Sequence, residues 1–109
     1  MKKWSVLGAA LLAGCATPPS GGTPPDSGDR QRARAFTDLA GAYFARGQYK
    51  IALEELRKAI SADSRYGPAY NIYGQVYMEL AEDKLAEENF RRASDIDRND
   101  SVARNNYGW

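Results

Sequence analysis

The chain has 109 residues, with 15 basic and 14 acidic side chains, no histidine and one cysteine. The absence of imidazole excludes histidine-based acid–base catalysis and histidine metal ligation. A formal charge of +1 gives no electrostatic case for binding nucleic acid.

Met1-Lys2-Lys3 is a basic start, and Trp4 to Gly14 is an uncharged run of apolar and small residues. That run falls short of the about 20 residues a helix needs to cross a bilayer. Residues 1–14 therefore read as a secretory signal peptide. The run ends Leu12-Ala13-Gly14-Cys15, which resembles the bacterial lipobox and contains the only cysteine. The resemblance implies that Cys15 receives a diacylglyceryl group and becomes the mature N-terminus after cleavage. Two or more acyl chains make a stable membrane anchor where one does not. Ala16, rather than Asp, follows the cysteine. By resemblance to Gram-negative sorting rules this implies the outer membrane, with the protein facing the periplasm. Loss of Lys2 and Lys3 moves the formal charge from +1 to −1.

Cys15 and the following ATPPSGGTPPDSGD form a segment over 15–29 dominated by Pro, Gly, Ser and Thr. Such a composition builds no core, and it reads as a disordered tether with a reach of about 20 Å.

From residue 30 onward the chain repeats itself at a fixed offset, the one that carries position 36 to position 70. Phe36, Leu39, Ala40 and Tyr43 recur as Tyr70, Tyr73, Gly74 and Tyr77. Ala52, Leu56 and Ala59 recur as Ala86, Phe90 and Ala93. Tyr107 and Gly108 begin a third copy. Spacings of three and four place each set on one helical face, large residues filling space and small ones where helices approach. The pattern resembles the tetratricopeptide repeat, a helix–turn–helix unit of this length. The resemblance implies an all-α fold, a right-handed superhelix of antiparallel helix pairs over 30–109. Its repeats fall at 33–66 and 67–100, with a partial copy at 101–109. Helices are expected near 31–46, 49–62, 68–81 and 83–97, and again from 101 onward. Gly47 fits a left-handed cap after the first helix. Ala81 stands at the same place in the second copy, so that turn either avoids positive φ or carries strain of about 1 kcal/mol. Pro68 fits just inside the third helix, and Asp100 or Ser101 is positioned to cap the third copy.

In tetratricopeptide folds the first helix of each unit lines the inner, concave face, and the resemblance places the partner there. By register the inner face presents Thr37, Gly41, Phe44 and Ala45, then Asn71, Gln75, Met78 and Glu79, then Asn105 and Trp109. Thr37, Phe44, Asn71, Gln75, Met78 and Asn105 are the candidate partner-binding residues. Amides mixed with apolar groups, without a Lys/Arg cluster, suit an extended or helical protein segment with apolar side chains. No small-molecule substrate, cofactor or metal is expected. Asp95-x-Asp97-x-Asn99 opens like a calcium loop, but Asp100 replaces its required Gly and Asn106 its bidentate Glu. Glu54-Glu55 and Glu87-Glu88, beside Arg57, Lys58, Arg91 and Arg92, read as solvated, ion-paired helix faces rather than catalytic carboxylate pairs.

Four features together resemble the type IV pilus biogenesis and stability lipoproteins, the pilotins: the lipobox, the Pro/Gly tether, an arginine-bearing first helix (Arg30, Arg32, Arg34) and then these repeats. The likeness extends through LAGAYFARGQYKIALEELRKAI at 39–60 and FRRASDIDRNDSVARNNYGW at 90–109, and Asn105-Asn106-Tyr107-Gly108 is its most specific part. It implies an outer-membrane lipoprotein that binds secretin subunits and promotes their localisation and assembly, with twitching motility depending on it. Members of that family continue for several more repeats, so a C-terminal truncation after Trp109 is expected. The anchor and repeats alone also suit a general periplasmic adaptor serving outer-membrane protein assembly or envelope proteolysis. An envelope enzyme draws no support from these residues.

Overall fold

A computed structural model describes residues 27–107, with side chains to residue 102. The signal peptide, Cys15, most of the tether and Trp109 lie outside the described residues. Four helices follow in order: α1 (Gly28–Ala45), α2 (Tyr49–Ala62), α3 (Gly67–Glu79) and α4 (Asp83–Tyr107), with no strand among the described residues. The helix pairs α1/α2 and α3/α4 are joined by tight turns, and α3 also packs against both α1 and α2. The α4 helix packs on α3 alone.

The first helix starts inside the segment expected to be tether. Ser27 Oγ accepts a hydrogen bond from the Arg30 backbone N–H at 3.1 Å, and Asp29 lies in the first turn. A hydroxyl cap and an acidic first turn both favour a helix N-terminus, so Gly28 and Asp29 belong to α1.

Both hairpin turns close in the same way. At the end of α1, Gln48 N–H donates to Tyr43 O and Gly47 N–H to Phe44 O, each at 2.9 Å. This pair of bonds is the Schellman motif, which places one residue in the left-handed region. That residue is Gly47, at φ +76°. At the end of α3, Glu82 N–H reaches Tyr77 O and Ala81 N–H reaches Met78 O. Here Ala81 takes φ +60°, so the second turn keeps the geometry and carries the strain of a Cβ there.

The core is small and built from the repeat positions. Ala40, Ala52, Leu56, Ala59, Ala69 and Val76 are fully buried, with Tyr70, Tyr73 and Ile96 nearly so. Full burial of Leu56 and of Val76 contributes about 1.5–3 kcal/mol each. Residue size is traded between the copies. Where α1 has Ala40 and α2 has Leu56, α3 has Gly74 and α4 has Phe90. A Cβ on Gly74 would lie 2.6–2.7 Å from three carbons of the Phe90 ring. One methyl moves from the first helix while the second helix gains an aromatic ring. A cation–aromatic pair also recurs in the repeat register. Lys58 Nζ lies 5.7 Å from the Phe36 ring centroid, and the Arg92 guanidinium 5.3 Å from that of Tyr70.

Three expectations are overturned by position. Leu39 is 43 % exposed, whereas Tyr73, its counterpart, is 7 % exposed. The reason is that α3 is packed by three helices and α1 by two. Glu55 is 8 % exposed rather than solvated. It falls in the stripe Ala52, Glu55, Leu56, Ala59, which is the buried face of α2. Its Oε2 takes Lys58 Nζ at 3.2 Å, and Oε1 has no hydrogen-bond partner among the described residues. Finally, α4 does not stop near residue 97. It runs unbroken for 25 residues to Tyr107, so neither Asp100 nor Ser101 caps a new helix. Gly67-Pro68 open α3 directly after the α2–α3 turn, whereas Ser101-Val102 hold the equivalent places in the third copy. With no breaker, the backbone hydrogen-bond ladder continues.

Candidate protein-interaction site

The inner-face residues separate into three groups. Thr37 is closed off: it is 5 % exposed, and its hydroxyl donates to Ala33 O at 2.7 Å. It lies on the Ala33, Thr37, Ala40 stripe that forms the buried face of α1, so it is not available to a partner. Gly41, Phe44 and Gln75 are half-buried. The Phe44 ring packs at 5.7 Å and 49° against Tyr49 and lies against the core. Ala45, Asn71, Met78 and Glu79 are exposed, Met78 by 58 %. Asn105 is carried on the distal part of α4, not on a third inner helix.

Helices α1 and α3 touch, and their orientation is held by residues that the repeat pattern did not single out. Asp63 caps α2 in extended geometry and is 7 % exposed. Its Oδ2 accepts from Arg30 Nε at 2.6 Å, and its Oδ1 from the Arg65 backbone N–H at 3.0 Å. The Arg30 guanidinium also lies 5.4 Å from the Tyr66 ring centroid. One carboxylate therefore joins the start of α1 to the α2–α3 turn. The sequence signal for it was present in the recurrence of Asp63 as Asp97, but the exposed Asp97 makes no such clamp.

Behind the exposed face, Tyr70, Tyr73 and Tyr77 form a ladder along α3, with ring centroids 6.4 and 5.9 Å apart. Tyr70 hydroxyl donates to Ser64 O at 2.8 Å and ties the ladder to the preceding turn. Burial raises the Tyr73 phenol above its ordinary value, helped by neighbouring Tyr77, and keeps it neutral.

Recesses flank these helices among the described residues. A shallow cleft of about 570 Å³ lies between α1 and α2, where Arg32, Arg57, Lys58 and Glu54 surround Phe36. A smaller one of about 320 Å³ is lined by Gly67, Pro68 and Asn71 of α3 and by Ala93, Ile96 and Asp97 of α4, with Arg30 and Arg65 at its edge. Of the candidate binding residues, Asn71 is the one that opens into either recess. The calcium-loop-like run Asp95–Asn99 lies within the continuous α4 helix, where its side chains do not converge on one point. Among the described residues no group of three or more acidic or Cys ligands could hold a metal ion.

What this geometry offers is an interaction surface: exposed amide and thioether groups on rigid, adjoining helices. Comparison with known proteins agrees. The chain matches the tetratricopeptide repeat at residues 33–66 and 67–100. It is 34 % identical over 103 residues to the type IV pilus assembly protein PilF of Pseudomonas aeruginosa, covering 92 % of this chain and 40 % of that protein. It is 35 % identical over 74 residues to protein bimA of Emericella nidulans, covering 68 % of this chain and 9 % of that protein. The chain thus spans less than half the length of either relative. No solved structure matches it. With two matched repeats filling most of its length, the chain belongs to the tetratricopeptide repeat family and is a protein-interaction scaffold.

Proposed function

We propose that this protein is a lipid-anchored scaffold for type IV pilus assembly, which binds secretin subunits and promotes their outer-membrane localisation and assembly. The observation that carries the reading is the 34 % identity to a type IV pilus assembly protein over 92 % of the chain. That span takes in nearly all of the chain, beyond the two repeats themselves. The Leu12-Ala13-Gly14-Cys15 motif and the Asn105-Asn106-Tyr107-Gly108 run support the same reading. In mechanism it is tethering. Acyl chains on Cys15 hold the repeats at the bilayer, the exposed face of α1 and α3 takes a secretin segment, and local concentration does the rest. No bond is made or broken.

Deletion of the gene tests this. Loss of surface pili and of secretin multimers is the expected result, and normal piliation in a clean deletion would overturn the proposal. A second reading, a general periplasmic adaptor for outer-membrane protein assembly or envelope proteolysis, is favoured by one observation. The chain is also 35 % identical over 74 residues to protein bimA of Emericella nidulans, so likeness to known proteins does not single out one partner. Affinity capture from membranes separates the two: secretin in one case, barrel-assembly or protease components in the other.

A further inference from the structure

The two repeats carry opposite charge. Residues 33–66 have six basic and four acidic side chains, and residues 67–100 have four basic and eight acidic ones. The difference is concentrated at two places. In the cleft of about 570 Å³ between α1 and α2, Arg32, Arg57 and Lys58 stand against one carboxylate, Glu54. Arg32 and Lys58 hold Asp29 and Glu55, whereas Arg57 forms no ion pair among the described residues. Half-buried Phe36 adds an aromatic ring to the lining.

The α3–α4 turn is the reverse. Glu79, Glu82 and Asp83 are exposed beside one cation, Lys84. None of these four forms an ion pair among the described residues. Leu80 and Leu85 flank the turn and are 42 % and 38 % exposed. Carboxylates and apolar side chains are thus presented together. Backbone bonds from Ala81 and Glu82 to Met78 O and Tyr77 O hold the turn in shape, so docking it orders little new chain. Cleft and turn do not meet within one molecule, because the cleft is lined by α1 and α2 alone and the turn is exposed.

We propose that the α1–α2 cleft receives the α3–α4 turn of a second copy of this chain. Three cations and one carboxylate in the cleft meet three carboxylates and one cation at the turn, and a leucine beside the turn meets Phe36. Complementary charge of this kind steers encounter and sets orientation. The contact joins two different surfaces, so repeating it adds copies in a row or closes a ring. One turn in one cleft is a small interface, which makes the association weak and sensitive to salt. It uses neither Asn71 nor Gln75, and it holds whichever partner the inner face takes.

Sedimentation velocity tests this on the full chain carrying Cys15→Ser, which removes the only thiol and with it disulfide pairing. Association should grow with concentration at about 50 mM salt and be lost at about 500 mM, where charges are screened over a few ångströms. Two variants separate the surfaces, with circular dichroism verifying that both keep their helix content. Arg32→Gln with Arg57→Gln removes two cleft cations, and Glu79→Lys with Glu82→Lys reverses the turn. Each alone should be monomeric where the parent associates. An equimolar mixture should form one-to-one pairs and nothing larger, because one intact cleft and one intact turn remain between the two chains. A parent chain that stays monomeric up to its solubility limit overturns the proposal. So does association that survives either variant, or a mixture that remains monomeric. Binding of a monomeric parent to phosphatidylglycerol vesicles, lost with Arg32→Gln and Arg57→Gln, would likewise overturn it by giving the cleft to a lipid surface.

Discussion

Asp63 is the residue on which the relation between the two helix pairs turns. Its carboxylate is 5 % exposed and holds Arg30 Nε at 2.6 Å and the Arg65 N–H at 3.0 Å. Arg30 is itself only 20 % exposed. Removing one partner of such a pair leaves the other charge buried without compensation, which costs more than the pair contributes as a whole. Asp63→Ala should lower stability by about 2–4 kcal/mol in urea denaturation, whereas the exposed Asp97→Ala should change it by less than about 0.5 kcal/mol. Gly74 gives a second test at this scale. Alanine there would gain about 1 kcal/mol of helix propensity. The new Cβ, however, meets the Phe90 ring at 2.6 Å, and overpacking of this kind costs about 1–3 kcal/mol. Gly74→Ala should therefore be destabilising. Adding Phe90→Leu, which recreates the Ala40–Leu56 pairing of the first copy, should recover part of the loss. Gly41 is the control: no atom lies within 4 Å of a Cβ placed there, so Gly41→Ala should stabilise. A double-mutant cycle on residues 74 and 90 showing no coupling would contradict the size-trading account.

At the scale of elements, the two hairpin turns share hydrogen bonds and differ in one side chain. Ala81 at φ +60° occupies the place that Gly47 fills at +76°. Replacing a left-handed alanine by glycine relieves Cβ strain and offsets the greater freedom of the unfolded chain. Ala81→Gly should raise stability by about 0.5–1 kcal/mol, read as a higher thermal midpoint with unchanged helix content. These elements were largely legible in advance because their signals are local. Residues 49–62 form α2 to the residue, and Gly47 and Pro68 mark real boundaries. Where reading from sequence failed, the cause was non-local or competitive. Leu39 and Tyr73 share a register, but burial depends on how many helices surround each one. Thr37 looked like a groove residue until its hydroxyl found Ala33 O. Glu55 carries a charge on a stripe that packing claims anyway. The α4 helix ignored the repeat register because Ser101-Val102 contains nothing that stops a helix, so local continuity prevailed over periodicity. Of the candidate site, Asn71 and Met78 are exposed. The Asp63–Arg30 clamp behind it needed coordinates, since its partners lie 33 residues apart.

For the whole molecule, the proposed activity separates into holding and binding, and the two are assigned to different parts of the chain. In this proposal attachment falls to the acyl chains on Cys15; no described helix is long and apolar enough to cross a membrane. Each buried methylene contributes about 0.8 kcal/mol, which makes a multiply acylated cysteine a stable anchor and an unacylated one no anchor at all. Binding is assigned to the exposed face of α1 and α3, beyond a tether with a reach of about 20 Å. A tether of that length raises the effective concentration of a bound partner at the bilayer without forming any contact of its own. Cys15→Ser should thus move the protein from the outer-membrane fraction to the soluble periplasm and sharply reduce secretin multimers in cells. The same variant, purified, should capture secretin with unchanged affinity, because no residue of the repeats has changed. Unchanged membrane fractionation would refute the anchor. Loss of capture by the soluble variant would refute the division of labour, since it would place part of the binding surface at the lipidated end.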